Sequence, residues 1–209
     1  MSSNSNRILS IYKSRKTILD VLSTECDVSE YENFGINEID AMYNNSQLDM
    51  LLTNTYDKNR KTYIKYYLTA KQIRPQNLDE IIEDLYVIDN VLTKEDTLII
   101  ITEDEPNDTI ITKMKYLFDH DGIFVVIHNI RRLQFNILKH VLVPECTILD
   151  PDAVEELKKQ YNIKELKQLP EISRFDPQAL AICLRPGQVC KFRRDSATAM
   201  FYDYYRVCV

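Results

Sequence analysis

The chain has 209 residues, 44% of them apolar and 28% charged, and its apolar runs fall far short of the roughly 20 residues that span a bilayer. That is the composition of a folded, soluble, intracellular protein built as one large domain or two small ones. The net charge of −6 excludes a free-standing nucleic-acid binder resting on a basic surface, because such affinity comes from neutralising phosphates.

The polar opening Met1–Asn6 lacks the apolar stretch of a signal peptide. A first helix follows: Ile8, Leu9, Ile11, Tyr12, Ile18, Leu19 and Leu22 recur at helical spacing, with Lys13, Arg15 and Lys16 on the other face. Gln47–Leu52 reads as a short helix, and Thr62–Thr69, rich in β-branched and aromatic residues, as a strand. Asn77 is expected to cap a helix carrying Ile81, Ile82 and Leu85. Asp96–Thr102 is a buried-strand candidate, and Asn107 or Asp108 caps a helix with Ile110, Ile111, Met114 and Leu117. Ile123–Ile127 is a further apolar strand and Leu133–Ile137 a third. Strands alternating with helices predict an α/β (α+β) fold with a mixed, partly parallel sheet.

The composition shifts near residue 135. Residues 1–134 hold 15 Lys+Arg against 22 Asp+Glu, whereas 135–209 hold 11 against 10 and five of the seven prolines. Proline fixes φ and lacks an N–H, so the second part is expected to contain short elements and the first part longer ones. Asp150-Pro151 is a helix start, an acidic cap followed by proline, and the helix is expected to run to about Tyr161. Asp176-Pro177 repeats the device for a short helix over Gln178–Ile182. Arg185-Pro186-Gly187 is a turn, and Gln188–Arg193 and Met200–Val209 form a closing hairpin around Asp195–Ala199.

Sites for chemistry are few. The three glycines, Gly35, Gly122 and Gly187, are too scattered for a phosphate-binding loop or a dinucleotide fingerprint, and there is no G-x-S-x-G elbow. The five cysteines have no C-x-x-C spacing and read as free thiols; His140 and Cys146 alone do not make a zinc site. Pro151-Asp152 with Glu165-Leu166-Lys167 matches the P-D…(D/E)-x-K pattern of metal-dependent nucleases. That reading, with Asp152, Glu165 and Lys167 at one Mg²⁺, is the enzymatic alternative. Against it, Asp152 falls in the first turn of a helix, where a carboxylate suits the dipole. The acidic runs Glu103–Glu105 and Asp119–Asp121 read as solvated loop charge.

From Phe135 to Val209 the sequence resembles the C-terminal domain of the fifth common subunit of eukaryotic nuclear RNA polymerases and its archaeal counterpart. Phe135–Glu145, with His140 and Leu142-Val143-Pro144-Glu145, is similar to the strand that opens the family's domain. Tyr161–Glu165 through Gln168-Leu169-Pro170 resembles its Y-x-L-K-E-x-Q-L-P stretch with one extra residue. Asp176-Pro177, Ala179-Leu180 and Leu184–Val189 resemble its D-P-x-A-x-x-x-G-L-K-R-G-x-V run. Lys191, Arg194, Ser196, Thr198, Tyr202, Tyr205, Arg206 and Cys208 fall where its closing hairpin has the same types. The departures are Cys146 for the histidine of P-E-H, Cys183 for glycine, Pro186 for a basic residue, Ala197 for a carboxylate, and Met200-Phe201 for Gly-Arg. A glycine at 183 ends a helix at φ > 0, so the cap here is altered or strained.

The resemblance implies a subunit with no active site and no cofactor of its own. Residues 135–209 are its assembly domain and dock on the largest polymerase subunit, through Arg185, Lys191, Arg194, Tyr202, Tyr205 and Arg206. Residues 1–134 are a jaw-like domain beside downstream DNA, with Lys113 and Lys115 nearest to it; DNA is bound weakly and only in the complex. The other class of partner reading is a stand-alone transcription adaptor. A composition rich in Asn, Ile, Lys and Tyr points to an AT-rich genome, such as that of a large DNA virus encoding its own polymerase. The expected location is the nucleus, or a viral factory or virion, with no membrane partner.

Overall fold

The protein, as a computed structural model, is described for residues 3–209; of the polar opening, residues 1 and 2 lie outside them. It is mixed α/β and divides into two compact units, Met1–Asn136 and Ile137–Val209. None of the described helices is long and apolar enough to cross a membrane.

The first unit contains helix α1 (Ser3–Leu22), strand β1 (Cys26–Asp27), helix α2 (Ile36–Asn44), strands β2 (Met50–Asn54) and β3 (Lys61–Tyr66), helix α3 (Pro75–Glu83), strand β4 (Thr97–Thr102), helix α4 (Asp108–Tyr116) and strand β5 (Phe124–Asn129). The sheet order is β1-β2-β3-β4-β5, with β3, β4 and β5 parallel and the first two pairings antiparallel. Every residue of β4 and β5 is buried, which is why each contains an unbroken apolar run, Leu98–Ile101 and Phe124–Ile127. Asn107 caps α4 by accepting the Ile110 N–H at 3.0 Å.

Four local expectations are corrected. Residues Met50–Leu52 are in strand β2, not a helix: Met50 and Leu52 alternate inward opposite Ile64 and Thr62, so pairing with β3 decides an ambiguous apolar run. Helix α3 starts at Pro75 behind Arg74, and Asn77 lies inside it, donating to the Tyr67 hydroxyl at 2.9 Å. Leu133 lies in a 3₁₀ turn (Arg132–Gln134) and not in a strand. Arg15 is only 2% exposed: it donates to the Leu48 carbonyl at 2.8 Å and lies over the Tyr31 and Phe34 rings, and burial lowers its pKa.

The second unit contains strand β6 (Glu145–Ile148), helix α5 (Pro151–Tyr161), strand β7 (Glu171–Ile172), helix α6 (Pro177–Ala181) and strands β8 (Val189–Ser196) and β9 (Met200–Cys208). The order is β6-β8-β9-β7; β8 and β9 form the hairpin. Asp150 accepts the Ala153 N–H at 2.7 Å to cap α5, and Asp176 accepts the Gln178 N–H to cap α6. Residues 135–144 are not the opening strand the resemblance suggested: Ile137–Lys139 is a 3₁₀ turn, the Val143 N–H bonds the His140 carbonyl, and β6 starts at Glu145.

The expectation of short elements here holds for the helices, since α1 of the first unit has 20 residues against 11 and 5 for α5 and α6, but fails for the strands. At 8 and 9 residues, β8 and β9 exceed the 6 of β3, β4 and β5. The prolines sit at boundaries instead of interiors. Pro144 precedes β6, Pro151 opens α5, Pro170 precedes β7, Pro177 opens α6 and Pro186 lies in a turn. One small core, including Ile172, Cys190, Phe192 and Cys208, is distinct from a second, including Leu157, Leu169, Val189 and Val207. The alternation along β8 and β9 assigns these to opposite faces of the sheet.

Candidate protein-docking surface

The hairpin is held by antiparallel pairing from Val189↔Val207 to Ser196↔Met200. Strand geometry then sorts its side chains, since alternate residues point to opposite faces. Arg194, Tyr202, Tyr204 and Arg206 share one face. There the Arg194 and Arg206 guanidinium carbons lie 4.6 and 5.5 Å from the centre of the Tyr204 ring. The buried Nε of Arg206 has no hydrogen-bond acceptor among the described residues. Lys191, Arg193, Phe201, Asp203 and Tyr205 share the other face. There Lys191 pairs with Asp203 at 3.7 Å, Arg193 stacks 4.5 Å from the Phe201 ring, and Tyr205 meets Tyr161 with ring centres 6.0 Å apart.

The six residues singled out from the sequence are therefore not one patch. Arg194, Tyr202 and Arg206 are together; Lys191 and Tyr205 are behind them; Arg185 lies in the turn before β8, its N–H donating to Gln188 Oε1 at 2.8 Å.

Toward the hairpin tip, Val141–Glu145 line a groove of about 750 Å³ with Arg193, Arg194, Asp195 and Phe201. Val141 is 93% exposed, Leu142 82% and Met200 75%. Such adjacent apolar exposure marks an interaction surface more than a solvated one. Val141, Leu142 and Arg193 were missed as site residues. The available signal was Pro144, which cannot donate to a sheet ladder and so marks a boundary directly after the apolar run Val141-Leu142-Val143.

Cys183 ends α6 with φ of 50°, in the left-handed region, where the sequence pointed to a strained cap. Met200 has φ of 60°. Interaction between the Cys146 and Cys190 thiols pushes Cys146 up and Cys190 down, and the Cys190 thiol donates to the Arg206 carbonyl at 3.5 Å; burial pushes Cys208 up to about 12. None of the five cysteines is joined in a disulfide among the described residues.

Elsewhere the charges are engaged. Lys113 pairs with Asp79 at 2.8 Å, and Lys115 is exposed on the same helix. Glu103, Asp104 and Glu105 are not simply solvated: they pair with Arg7, Arg131 and Arg132. Asp152 is exposed in the first turn of α5, and Glu165 and Lys167 are exposed at the 3₁₀ turn Leu166–Gln168. Among the described residues no three His, Cys, Asp or Glu side chains are gathered to hold a metal ion.

The family described as RNA polymerase Rpb5, C-terminal domain, matches residues 135–208. The chain is similar to the DNA-directed RNA polymerase subunit Rpo5 of Thermococcus kodakarensis, at 47% identity over 76 residues, 36% of this chain and 92% of that protein. The Pyrococcus abyssi protein of that description is 45% identical over 76 residues, with the same shares. The subunit RPABC1 of DNA-directed RNA polymerases I, II and III from Caenorhabditis elegans is 43% identical over 77 residues, 37% of this chain and 36% of that protein.

Proposed function

The chain belongs to the family of the fifth RNA polymerase subunit, and from that membership we propose that it serves as a non-catalytic subunit of a multisubunit DNA-directed RNA polymerase. The observation that carries this reading is the ordered match over residues 135–208, a span whose surface includes the groove at Val141–Glu145 and the exposed hairpin. In this reading residues 135–209 assemble onto the largest subunit, and residues 1–134 form a jaw near downstream DNA. Transcription takes place in the nucleus, or in a viral factory or virion, and the chain works there.

The groove suits docking because its apolar members gain from leaving water while Arg193 and Arg194, stacked on Phe201 and Tyr204, place charge at the rim. DNA contact is weaker in kind. Lys113 is already neutralised by Asp79, so a phosphate would have to displace that carboxylate. The isolated chain is expected to bind DNA at ~10⁻⁴ M or weaker at physiological salt, with a salt slope of about one or two phosphates.

Tagging the full chain in its own cell and quantifying what copurifies tests the reading. A subunit brings the catalytic subunits in stoichiometric amount; an adaptor brings them substoichiometrically; absence of polymerase subunits refutes both. Substituting Val141 and Leu142 by serine is expected to release the largest subunit, while substituting Lys113 and Lys115 by alanine leaves it bound.

A further inference from the structure

We propose that the outer edge of β9 is completed by an extended, acidic segment of a neighbouring polymerase subunit, added as a fifth strand to the C-terminal sheet. This rests on the subunit reading above and names how the partner is held.

The argument starts from the backbone. The Cys208 N–H bonds the Gln188 carbonyl, on the β8 side, and the Val207 N–H bonds the Pro170 carbonyl, on the β7 side. Antiparallel pairing alternates, so even-numbered residues of β9 bond β8 and odd-numbered ones point outward. Strand β7 meets that outer edge only at Val207 and Cys208. It begins after Pro170, which has no N–H to extend the ladder toward the tip. The N–H groups of Asp203 and Tyr205, and the carbonyls of Phe201, Asp203 and Tyr205, are thereby left facing outward without a strand among the described residues.

Sheet edges of this kind are normally blunted by proline, bulges, lysine or a covering element. Met200–Cys208 contains no proline or lysine, and its register with β8 runs unbroken. Asp203, the one acidic side chain on the edge, is turned to Lys191. Exposed Met200, Phe201 and Tyr202 flank the edge on both faces, providing apolar contacts to an added strand.

Charge selects the occupant. The two hairpin strands carry Lys191, Arg193, Arg194 and Arg206 against Asp195 and Asp203, an excess of positive charge in a chain whose total is −6. An added strand with carboxylates at alternate positions would reach Arg194 and Arg206 on one face or Arg193 on the other.

Backbone amide exchange on the full chain, alone and in the copurified polymerase, tests the inference. In the isolated chain the Asp203 and Tyr205 amides are expected to exchange freely; in the complex they are expected to slow by about 100-fold, as paired strand amides do. Against an Asp203→Ala, Tyr205→Ala control, which loses the Lys191 ion pair and the Tyr161 ring contact but keeps the N–H groups and is expected to retain the partner, the double variant Asp203→Pro, Tyr205→Pro removes the outward N–H groups as well. It is expected to keep the far-ultraviolet spectrum of the parent and lose the partner. If the complex forms and those amides still exchange freely, strand addition is wrong while the subunit reading survives. If no polymerase subunit copurifies, the subunit reading itself fails. Concentration-dependent protection of the same amides in the isolated chain would assign the edge to a second copy and overturn the acidic partner.

Discussion

The strands of the two units use apolar residues in opposite ways. In the first, β4 and β5 are buried along their whole lengths, and Leu98, Ile99, Ile100 and Ile101 are all fully enclosed. In the second, the longest strand of the chain, β9, is exposed over its first four residues, and Val141, Leu142, Met200 and Phe201 stand in solvent. A parallel sheet covered on both faces gains stability from every apolar side chain. A projecting hairpin gains little from its tip residues until something covers them. The groove and hairpin tip thus gather exposed apolar residues within the span that the polymerase family matches.

The largest expected effect separates the units by stability. Phe124→Ala removes a ring packed edge-on against Phe118 and is expected to cost about 3–5 kcal/mol in denaturant unfolding. Phe201→Ser is expected to change stability by no more than about 0.5 kcal/mol, because a half-exposed ring leaves no cavity. A comparable loss at both would erase the distinction.

Next in size is binding. Val141→Ser with Leu142→Ser is expected to weaken retention of the polymerase by roughly 2 kcal/mol, about 30-fold. Pull-down titration against the parent chain measures it, and unchanged retention would move the contact elsewhere on the hairpin.

An effect of a different kind comes from alkaline pH. Burial raises Tyr66 from 10.0 to about 12 and Cys208 from 9.0 to about 12. Both folded values lie above the unfolded ones, so the stabilisation is complete below the unfolded pKa and is lost as pH rises toward the folded one. Cys208 is expected to weaken the second unit from about pH 9 upward, and Tyr66 the first from about pH 10. Cys208→Ala and Tyr66→Phe should each flatten the decline in their own unit, read by unit-specific amide exchange across roughly pH 8–11.

Smallest is the strained cap. Cys183→Gly relieves φ of 50° and is expected to raise the stability of the second unit by about 1 kcal/mol, seen as a higher melting temperature.

Much of the fold was legible because the signals were local. Asp150-Pro151 and Asp176-Pro177 satisfy helix N–H groups within three residues, so no distant partner enters. The β-branched apolar runs in β4 and β5 read as buried strands. The ordered motifs from Phe135 to Cys208 carried the family. Residues 47–52 were not legible, since Met-Leu-Leu suits either element until β3 lies beside it. Arg15 was assigned to the solvent face because its cover, Tyr31, Phe34 and the Leu48 carbonyl, comes from segments outside its own helix. The acidic run at 103–105 hid its arginines for the same reason.

The sequence by itself determined the elements with strong caps or continuous apolar runs, the strained turn at Cys183 and the resemblance of the C-terminal segment. Those depend on neighbours along the chain. Only the tertiary structure decided which candidate docking residues stand together. Arg194, Tyr202 and Arg206 share a face that Lys191 and Tyr205 do not, Val141 and Leu142 join the groove from a distant turn, and the outer edge of β9 stays open. Strand pairing imposes that sorting, because it fixes the direction of each side chain and backbone N–H together.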